Sequence, residues 1–213
     1  MIGKIITLFK IGRKLALSDA LNIVSKIYEI PILIKVLFNL LGLFGKRNLN
    51  QNYNEEERLC RSMESMGITF IKLGQFLATR PDIIGEKLSE QLQTLQDKVP
   101  PFSKEIALNE IKKGIGKENY NDFINISEPI AAASIAQVHK AQIKDNEVLK
   151  EVAIKVLRPN IKKVFNEEIE ALMLFAYTIE SLVKKTKRLR LVEVVFLLKE
   201  ITNHEMDLRF EAA

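Results

Sequence analysis

A lysine inside an apolar strand is the residue in this sequence that is best suited to bind an anion. Lys155 ends the string VAIK at 152–155 and is followed by Val156. Such a lysine loses hydration unless an anion meets it, and phosphate oxygens or a carboxylate would serve. The alternative is a lysine on the solvated face of the strand, and the surrounding residues must decide between the two.

An alanine-rich stretch, AAASIAQVHKA at 131–141, lies upstream of this lysine. Backbone that approaches phosphates normally uses glycine, which takes positive φ easily. The alanines restrict those conformations, so the loop should be stiff and differently shaped, with backbone N–H groups and the Ser134 hydroxyl available to a nucleotide. The alternative is a strand edge filled with small residues for close packing.

Two further stretches place polar groups at helical spacing. In FIKLGQFLATRPD at 70–82, Lys72 and Gln75 share a helix face. Gly74 costs about 1 kcal/mol relative to alanine there, and it allows something large to approach closely. The alternative is a solvated polar stripe on an amphipathic helix.

The stretch HEMDLRFEAA at 204–213 is interpreted as the end of a helix, with Asp207 and Glu211 on one face. Like charges at that spacing repel, so a cation from elsewhere is needed, and Lys155 and Lys72 are the candidates. Glu205 points elsewhere and can reach a different partner.

The elements that carry these residues follow the order helices, strands, helices, which is typical of an α+β fold. Asn54 and Glu57 form a capping box that begins a helix running to about Thr79. The other predicted elements are helices at 86–98 and 103–113 (capped by Ser103, ended by Gly114), strands at 125–131, 134–143 and 151–158 with a turn at Asp145–Asn146, and helices at 161–183 and 190–213.

Composition limits the class of protein. The 213 residues are 47% hydrophobic, which suits one domain or a small domain with an extension. The single cysteine, Cys60, excludes an intramolecular disulfide, and His139 and His204 lack zinc-type spacing. We therefore predict a reducing compartment and no structural metal.

The N-terminal segment carries the basic charge. Residues 1–50 contain eight lysines and arginines against Asp19 and Glu29, a net charge of +6, while the whole chain carries +5. Such a segment suits an anionic surface, lipid or nucleic acid. Because basic and aromatic residues do not alternate as they do in surfaces that stack on bases, lipid is favoured and no nucleic acid is predicted. The KKTKR stretch at 184–188 is interpreted as a solvated turn.

The stretch at 30–47 is the most apolar in the chain. It is shorter than the roughly 20 apolar residues of a spanning helix, and Lys35, Asn39 and Gly42 would form one narrow polar stripe on a helix. That pattern fits a helix in a membrane interface or on a partner. A helix buried against its own domain is the alternative.

Taken together, four motifs resemble the UbiB/ADCK family of atypical protein-kinase-like proteins. KLGQ at 72–75 is similar to the family's KxGQ motif, and the stretch at 131–141 to its alanine-rich nucleotide loop. VAIK resembles the lysine strand. EMDLRFEA at 205–212 resembles the ExD motif and the glutamate that follows it. The resemblance covers about residues 54–213.

The resemblance implies roles for matching residues. Lys155 would contact the phosphates of ATP or ADP and pair with Glu211, as in kinases. Lys72 and Gln75 would lean over the nucleotide, with Lys72 meeting Glu205 or Asp207. The loop residues that would cover the phosphates are Ala131, Ala132, Ala133 and Ser134.

The resemblance also implies a kinase or ATPase that supports ubiquinone biosynthesis. Its partners would be an anionic membrane surface, other proteins of that pathway and lipid intermediates, and its location the cytoplasmic side of a bacterial-type inner membrane. The alternative is a non-catalytic, membrane-associated interaction protein, or a gene remnant, with a residual kinase-like lobe.

The sequence departs from the family at its end. It stops at Ala213 without a catalytic-loop Asp/Asn pair or a DFG-type aspartate. We therefore expect a kinase-like N-lobe without its C-lobe, no complete catalytic set and no metal site. Mg²⁺ would bind only if a C-lobe were supplied, for example by a separate chain. The predicted domains are a basic and apolar segment at 1–50, a helical extension at 51–118 and the N-lobe at 119–213.

Overall fold

The computed structural model describes residues 2–17, 25–26, 29–30, 32–43, 53–95, 99–145, 148–182 and 184–210. Within these ranges the elements, in chain order, are α1 (Ile2–Leu17), α2 (Ile32–Gly42), α3 (Glu55–Met66), α4 (Ile68–Ala78), α5 (Pro81–Ile84), α6 (Glu86–Leu92), α7 (Lys104–Tyr120), β1 (Phe123–Ile124), β2 (Pro129–Ala132), β3 (Ala136–Asp145), β4 (Val148–Leu157), α8 (Ile161–Leu182), a 3₁₀ turn (Lys184–Leu189), α9 (Leu191–Glu205) and a second 3₁₀ turn (Leu208–Phe210). The predicted α+β fold with a small antiparallel sheet is confirmed.

The chain divides into two units, each built from two separate stretches of sequence. The helical unit comprises Met1–Gln96 and Val164–Asn203, and the sheet unit comprises Asp97–Lys163 and His204–Ala213. The predicted domain boundaries near 50 and 118 stay a prediction. Among the described helices, none combines the length and apolarity that crossing a membrane requires.

The helix predicted from Asn54 to about Thr79 is two helices. Its start is confirmed, because the Asn54 side chain accepts a hydrogen bond from Glu57 N at 2.8 Å and the Glu57 carboxylate accepts one from Asn54 N at 3.0 Å. The uninterrupted course is wrong: Gly67 separates α3 from α4 with a φ of +107°. A right-handed helix cannot contain that conformation, and glycine takes it at little cost.

Strand β3 is the centre of the sheet. It pairs with β4 along its whole length, from Ala136↔Leu157 to Asp145↔Val148. Strands β1 and β2 pair with different parts of β3 and therefore share its other edge. The three predicted strands are present, and β1 is an additional short one. The predicted turn at Asp145–Asn146 falls partly outside the described residues, since Asn146 is not among them.

Three predicted helix ends are wrong. Helix α6, predicted over 86–98, ends at Leu92. Helix α7 begins after Ser103, whose hydroxyl accepts a hydrogen bond from Ile106 N at 3.4 Å, but it continues past Gly114 and kinks at Gly116, where φ is +83°. Helix α9 ends at Glu205 instead of continuing to the chain's end. Asp207 is therefore not on a helix.

Candidate functional site

Lys155 and Ala131, the first residue of the alanine-rich stretch, lie on the same face of the sheet. Lys155 stands opposite Val138 of β3, and Val138 stands opposite Ala131 of β2. Residues directly opposite in antiparallel strands project to one face, so these three form a row. Neighbouring strands are about 4.8 Å apart, which places the Ala131 and Lys155 backbones about 10 Å apart. Lys155 is partly exposed and Ala131 is exposed.

The opposite face of the sheet is buried and polar at its centre. Gln137 and His139 are both 0% exposed. The Gln137 side chain accepts a hydrogen bond from Phe102 N at 2.9 Å and donates one to Phe102 O at 3.2 Å. His139 Nδ1 lies 2.8 Å from Ser127 O, and because a carbonyl only accepts, Nδ1 carries the proton. His139 Nε2 then accepts from the Gln137 amide at 2.9 Å.

A tight turn joins β2 to β3 in the alanine-rich loop. Ala133 N donates to Ala136 O at 2.8 Å, and no residue of the loop has a positive φ, which fits the restriction expected of alanine. The Ser134 hydroxyl is buried and has no hydrogen-bond partner among the described residues. Such an unsatisfied group costs free energy and is uncommon in folded proteins.

Arg158 holds this turn in place, and the sequence reasoning did not identify it. Its Nε donates to Ser134 O at 2.9 Å. Its Nη2 donates to Ala133 O at 2.9 Å and to Val99 O at 3.0 Å. Its backbone N–H donates to Ile135 O at 2.9 Å. Partial burial lowers the pKa of Arg158 from its ordinary value. The only local signal in the sequence is that Arg158 stands between the apolar strand and Pro159.

The predicted KxGQ-like residues lie on α4 in the helical unit. The Gln75 side chain donates to Leu95 O at 3.3 Å, and Lys72 is partly exposed. The predicted close approach at Gly74 is confirmed: a Cβ there would lie 2.2 Å from Leu95 Cδ1 and 3.2 Å from Met63 Cε. That Lys72 and Gln75 lean over a nucleotide stays a prediction.

The acidic residues near the end of the chain are arranged differently from the prediction. Asp207 pairs with Arg209, whose Nε donates to Asp207 Oδ1 at 2.7 Å. This hydrogen bond lowers the pKa of Asp207 to about 2. Because α9 ends at Glu205, the prediction that Asp207 lies on a helix face with Glu211 is wrong. Glu211 lies outside the described residues, so its pairing with Lys155 stays a prediction, as does that of Lys72 with Glu205 or Asp207.

The arrangement in the sheet unit can bind an anion. Lys155 on β4 supplies the cation, and the turn that joins β2 to β3 carries backbone N–H groups and the buried Ser134 hydroxyl. In the described part of the chain, no cluster of three or more His, Cys, Asp and Glu side chains could hold a metal ion.

Comparison with known proteins gives one family. Residues 94–213 match the ABC1 atypical kinase-like domain. No solved structure matches the chain.

Several curated bacterial proteins called "Probable protein kinase UbiB" are similar. That of Marinobacter nauticus is 37% identical over 188 residues, covering 87% of this chain and 33% of the relative. That of Tolumonas auensis is 38% identical over 173 residues, covering 81% and 31%. That of Azotobacter vinelandii is 37% identical over 191 residues, covering 88% and 35%. The chain thus spans about a third of the length of these relatives.

Proposed function

Because the chain belongs to the ABC1 atypical kinase-like family, as its motifs predicted, we propose that its sheet unit binds the phosphates of ATP or ADP. The observation that carries this proposal is the row of Ala131, Val138 and Lys155 on one sheet face. Lys155 supplies the charge, and the turn at Ala133 and Ser134 lies over the phosphates. A lysine on a strand is also the phosphate-binding cation of protein kinases.

Nucleotide binding is tested by titrating the chain with a fluorescent ATP analogue and a fluorescent ADP analogue. We expect weak, saturable binding that Lys155→Met lowers by about tenfold or more. Lys150→Met is the matched control, because Lys150 is on the same strand but projects from the other face. Equal loss in both variants, or no loss in either, would contradict the proposal.

We further propose that the chain is part of a UbiB-like kinase or ATPase that supports ubiquinone biosynthesis, and that turnover needs a C-lobe in addition to these 213 residues. Phosphoryl transfer depends on carboxylates that position Mg²⁺. The pure chain should bind nucleotide without hydrolysing it. Magnesium-dependent ATP hydrolysis that Lys155→Ala abolishes would overturn this expectation. Other proteins of the pathway, its lipid intermediates and a chain carrying the C-lobe are the proposed partners.

The N-terminal helices support a second proposal, peripheral attachment to the cytoplasmic face of an anionic membrane. Ile32, Val36, Leu40 and Leu43 recur along one stripe of α2 and its end, with side chains 48–79% exposed. On α1, Ile6 and Phe9 are also exposed. Residues 1–50 add a net charge of +6, and each cation near an anionic surface contributes about 1 kcal/mol.

Co-sedimentation with vesicles tests this attachment. The chain should bind vesicles that contain phosphatidylglycerol more strongly than neutral vesicles, and salt should weaken the binding. The paired substitution Ile32→Ser with Leu43→Ser should release it, as should deletion of residues 1–50. Leu182→Ser, at an exposed leucine of α8, is the control and should have no effect. Unchanged binding after the deletion would refute the attachment.

A further inference from the structure

The turn that joins β2 to β3 contains three hydrogen-bond donors without an acceptor. The Ser134 hydroxyl is buried and has no partner among the described residues. Within the described ranges, neither the Ser134 N–H nor the Ile135 N–H donates a hydrogen bond. Ser134 is 1% exposed and Ile135 is 7% exposed. Buried backbone N–H groups without a partner are rare in folded proteins, so this cluster calls for an acceptor that binds to the turn.

Arg158 sets the direction of the two backbone donors. Its Nε donates to Ser134 O and its Nη2 donates to Ala133 O, both at 2.9 Å, so both carbonyl groups point to the guanidinium. In a trans peptide, the C=O group and the N–H group of the next residue point in opposite directions. The N–H groups of Ser134 and Ile135 therefore point away from Arg158. Successive N–H groups arranged in this way in a turn form a concavity that binds anions.

The charge of Arg158 also favours an anion at this turn. A carbonyl oxygen carries a partial negative charge, so two of them beside a phosphate group would oppose its binding. The guanidinium lies against both oxygens and offsets them. Its donors are fixed in one plane, so one side chain can bond to both carbonyl groups at once, whereas the ammonium group of a lysine is a single point of charge.

The segment before α7 holds Arg158 itself in place. Nη2 of Arg158 also donates to Val99 O at 3.0 Å, and its guanidinium carbon lies 5.7 Å from the centre of the Phe102 ring. Both backbone groups of Phe102 bond to the Gln137 side chain. The guanidinium therefore has a fixed position without a ligand, and a turn that is already ordered loses less entropy when it binds a phosphate group.

We infer that Arg158 is a positioning residue for nucleotide binding: it collects the carbonyl groups of the turn on its own side and leaves the Ser134 and Ile135 N–H groups to phosphate oxygens. This role rests on the proposed binding of ATP or ADP. It gives the two cations different tasks, because Lys155 attracts the phosphates by charge and Arg158 shapes the turn that receives them.

The test compares the affinity of the full chain and its variants for a fluorescent ADP analogue, at a temperature at which circular dichroism shows each to be folded. Arg158→Gln should weaken binding by about tenfold or more. Arg158→Lys should weaken it by about threefold or more, because an ammonium group cannot bond to both carbonyl groups in one plane. Ile111→Ala is the control: it removes buried volume from α7 and lowers stability, but it removes no hydrogen bond of the turn. It should leave the affinity unchanged.

An NMR titration with ADP gives a readout that a loss of stability alone would not change. In the wild type, ADP should shift the amide protons of Ser134 and Ile135 downfield, because phosphate oxygens then accept their hydrogen bonds. The two shifts should be absent in Arg158→Gln at saturating ADP and present in Ile111→Ala.

The outcomes separate the role of Arg158 from the proposed function. If the wild type binds no nucleotide, the proposed function fails and the role of Arg158 fails with it. If Lys155→Met weakens binding but Arg158→Gln binds as the wild type does, the proposed function holds and only the role of Arg158 is wrong. If Arg158→Gln does not fold, the same criterion applies to Arg158→Lys. Equal weakening in the Arg158 variants and Ile111→Ala also overturns the role, since lost stability would then explain both.

Discussion

The sheet unit depends on a few polar side chains for its shape, whereas the helical unit depends on apolar volume. In the sheet unit, Arg158 and Gln137 attach two loops through hydrogen bonds to backbone groups. In the helical unit, most described core side chains are aliphatic, methionine or phenylalanine, although Thr69, Ser89 and Thr202 are also buried. Directional hydrogen bonds therefore fix the shape of the candidate anion site, whereas the packing of apolar side chains fixes the shape of the helical unit.

The largest effect is expected at Arg158. Replacing it with glutamine removes charged donors from Ala133 O, Ser134 O and Val99 O, which should lower the free energy of unfolding by about 3 kcal/mol. Arg158→Lys keeps the charge without the planar fork and should recover less than half of the loss. Amide hydrogen exchange should accelerate at 131–136 and not in α3. If exchange accelerates equally at 131–136 and in α3, the hydrogen bonds of Arg158 do not stabilise the sheet unit selectively.

Gly74→Ala probes the helical unit in the same way. The new methyl group would overlap Leu95 Cδ1, so we expect a loss of about 1–3 kcal/mol despite the better helix propensity of alanine. The control is Gly114→Ala in α7, where a Cβ has open space and should stabilise the chain by up to about 1 kcal/mol. Thermal or urea unfolding measures both.

Adding Leu95→Val should restore part of the stability lost in Gly74→Ala, because the shorter side chain makes room for the methyl group. If Gly74→Ala stabilises the chain as Gly114→Ala does, the added methyl group does not clash with Leu95.

Glu168→Gln tests the one strongly desolvated carboxyl of the described helical unit. Burial raises the pKa of Glu168, although a hydrogen bond from Thr69 and the charge of Lys14 oppose the shift. The folded state therefore binds more protons than the unfolded state above the ordinary pKa, and this group's contribution to stability falls as pH rises through that window. Glu168→Gln should flatten the pH profile and raise stability at pH 7. Glu90→Gln, at an exposed position of α6, should do neither.

The smallest effect is expected at the exposed pair of Asp207 and Arg209. The folded pKa of Asp207, about 2, lies below its ordinary value, so its contribution to stability is present above pH 4 and disappears as pH falls toward 2. Arg209→Gln should return the pKa of Asp207 toward its ordinary value in an NMR titration. Arg190→Gln, which changes an exposed arginine elsewhere, should leave it at about 2. If the pKa of Asp207 stays at about 2 in Arg209→Gln, a different cation lowers it.

Features set by neighbours in sequence were predictable. The capping box at Asn54 and Glu57 needs only residues three apart, and it was confirmed. The motifs that gave the family were equally local. The break at Gly67 was not predicted, because a glycine within a helical pattern is tolerated unless the fold requires a positive φ, and that requirement is not local.

The contacts that shape the candidate site could not be predicted from sequence. The acceptors of the Arg158 side chain lie 24, 25 and 59 residues away, and no periodicity indicates such partners. Gln137 and Phe102 are 35 residues apart. The pair of Asp207 and Arg209 is only two residues apart, and it was missed because a helix was assumed to continue through both.

The side-chain amide of Gln137 bonds to the backbone of Phe102 as a second peptide group would. It gives Phe102 one acceptor and one donor, the same pair of bonds that two residues exchange in an antiparallel ladder. The segment around Phe102 is thereby fastened to the sheet without being a strand, so it is free of the two-residue alternation that a strand imposes on side chains. A shift of that segment by one residue would break both bonds at once. A glutamate or a methionine at position 137 could supply only part of the pairing, so this amide, together with the Arg158 bond to Val99 O, sets the alignment of the segment.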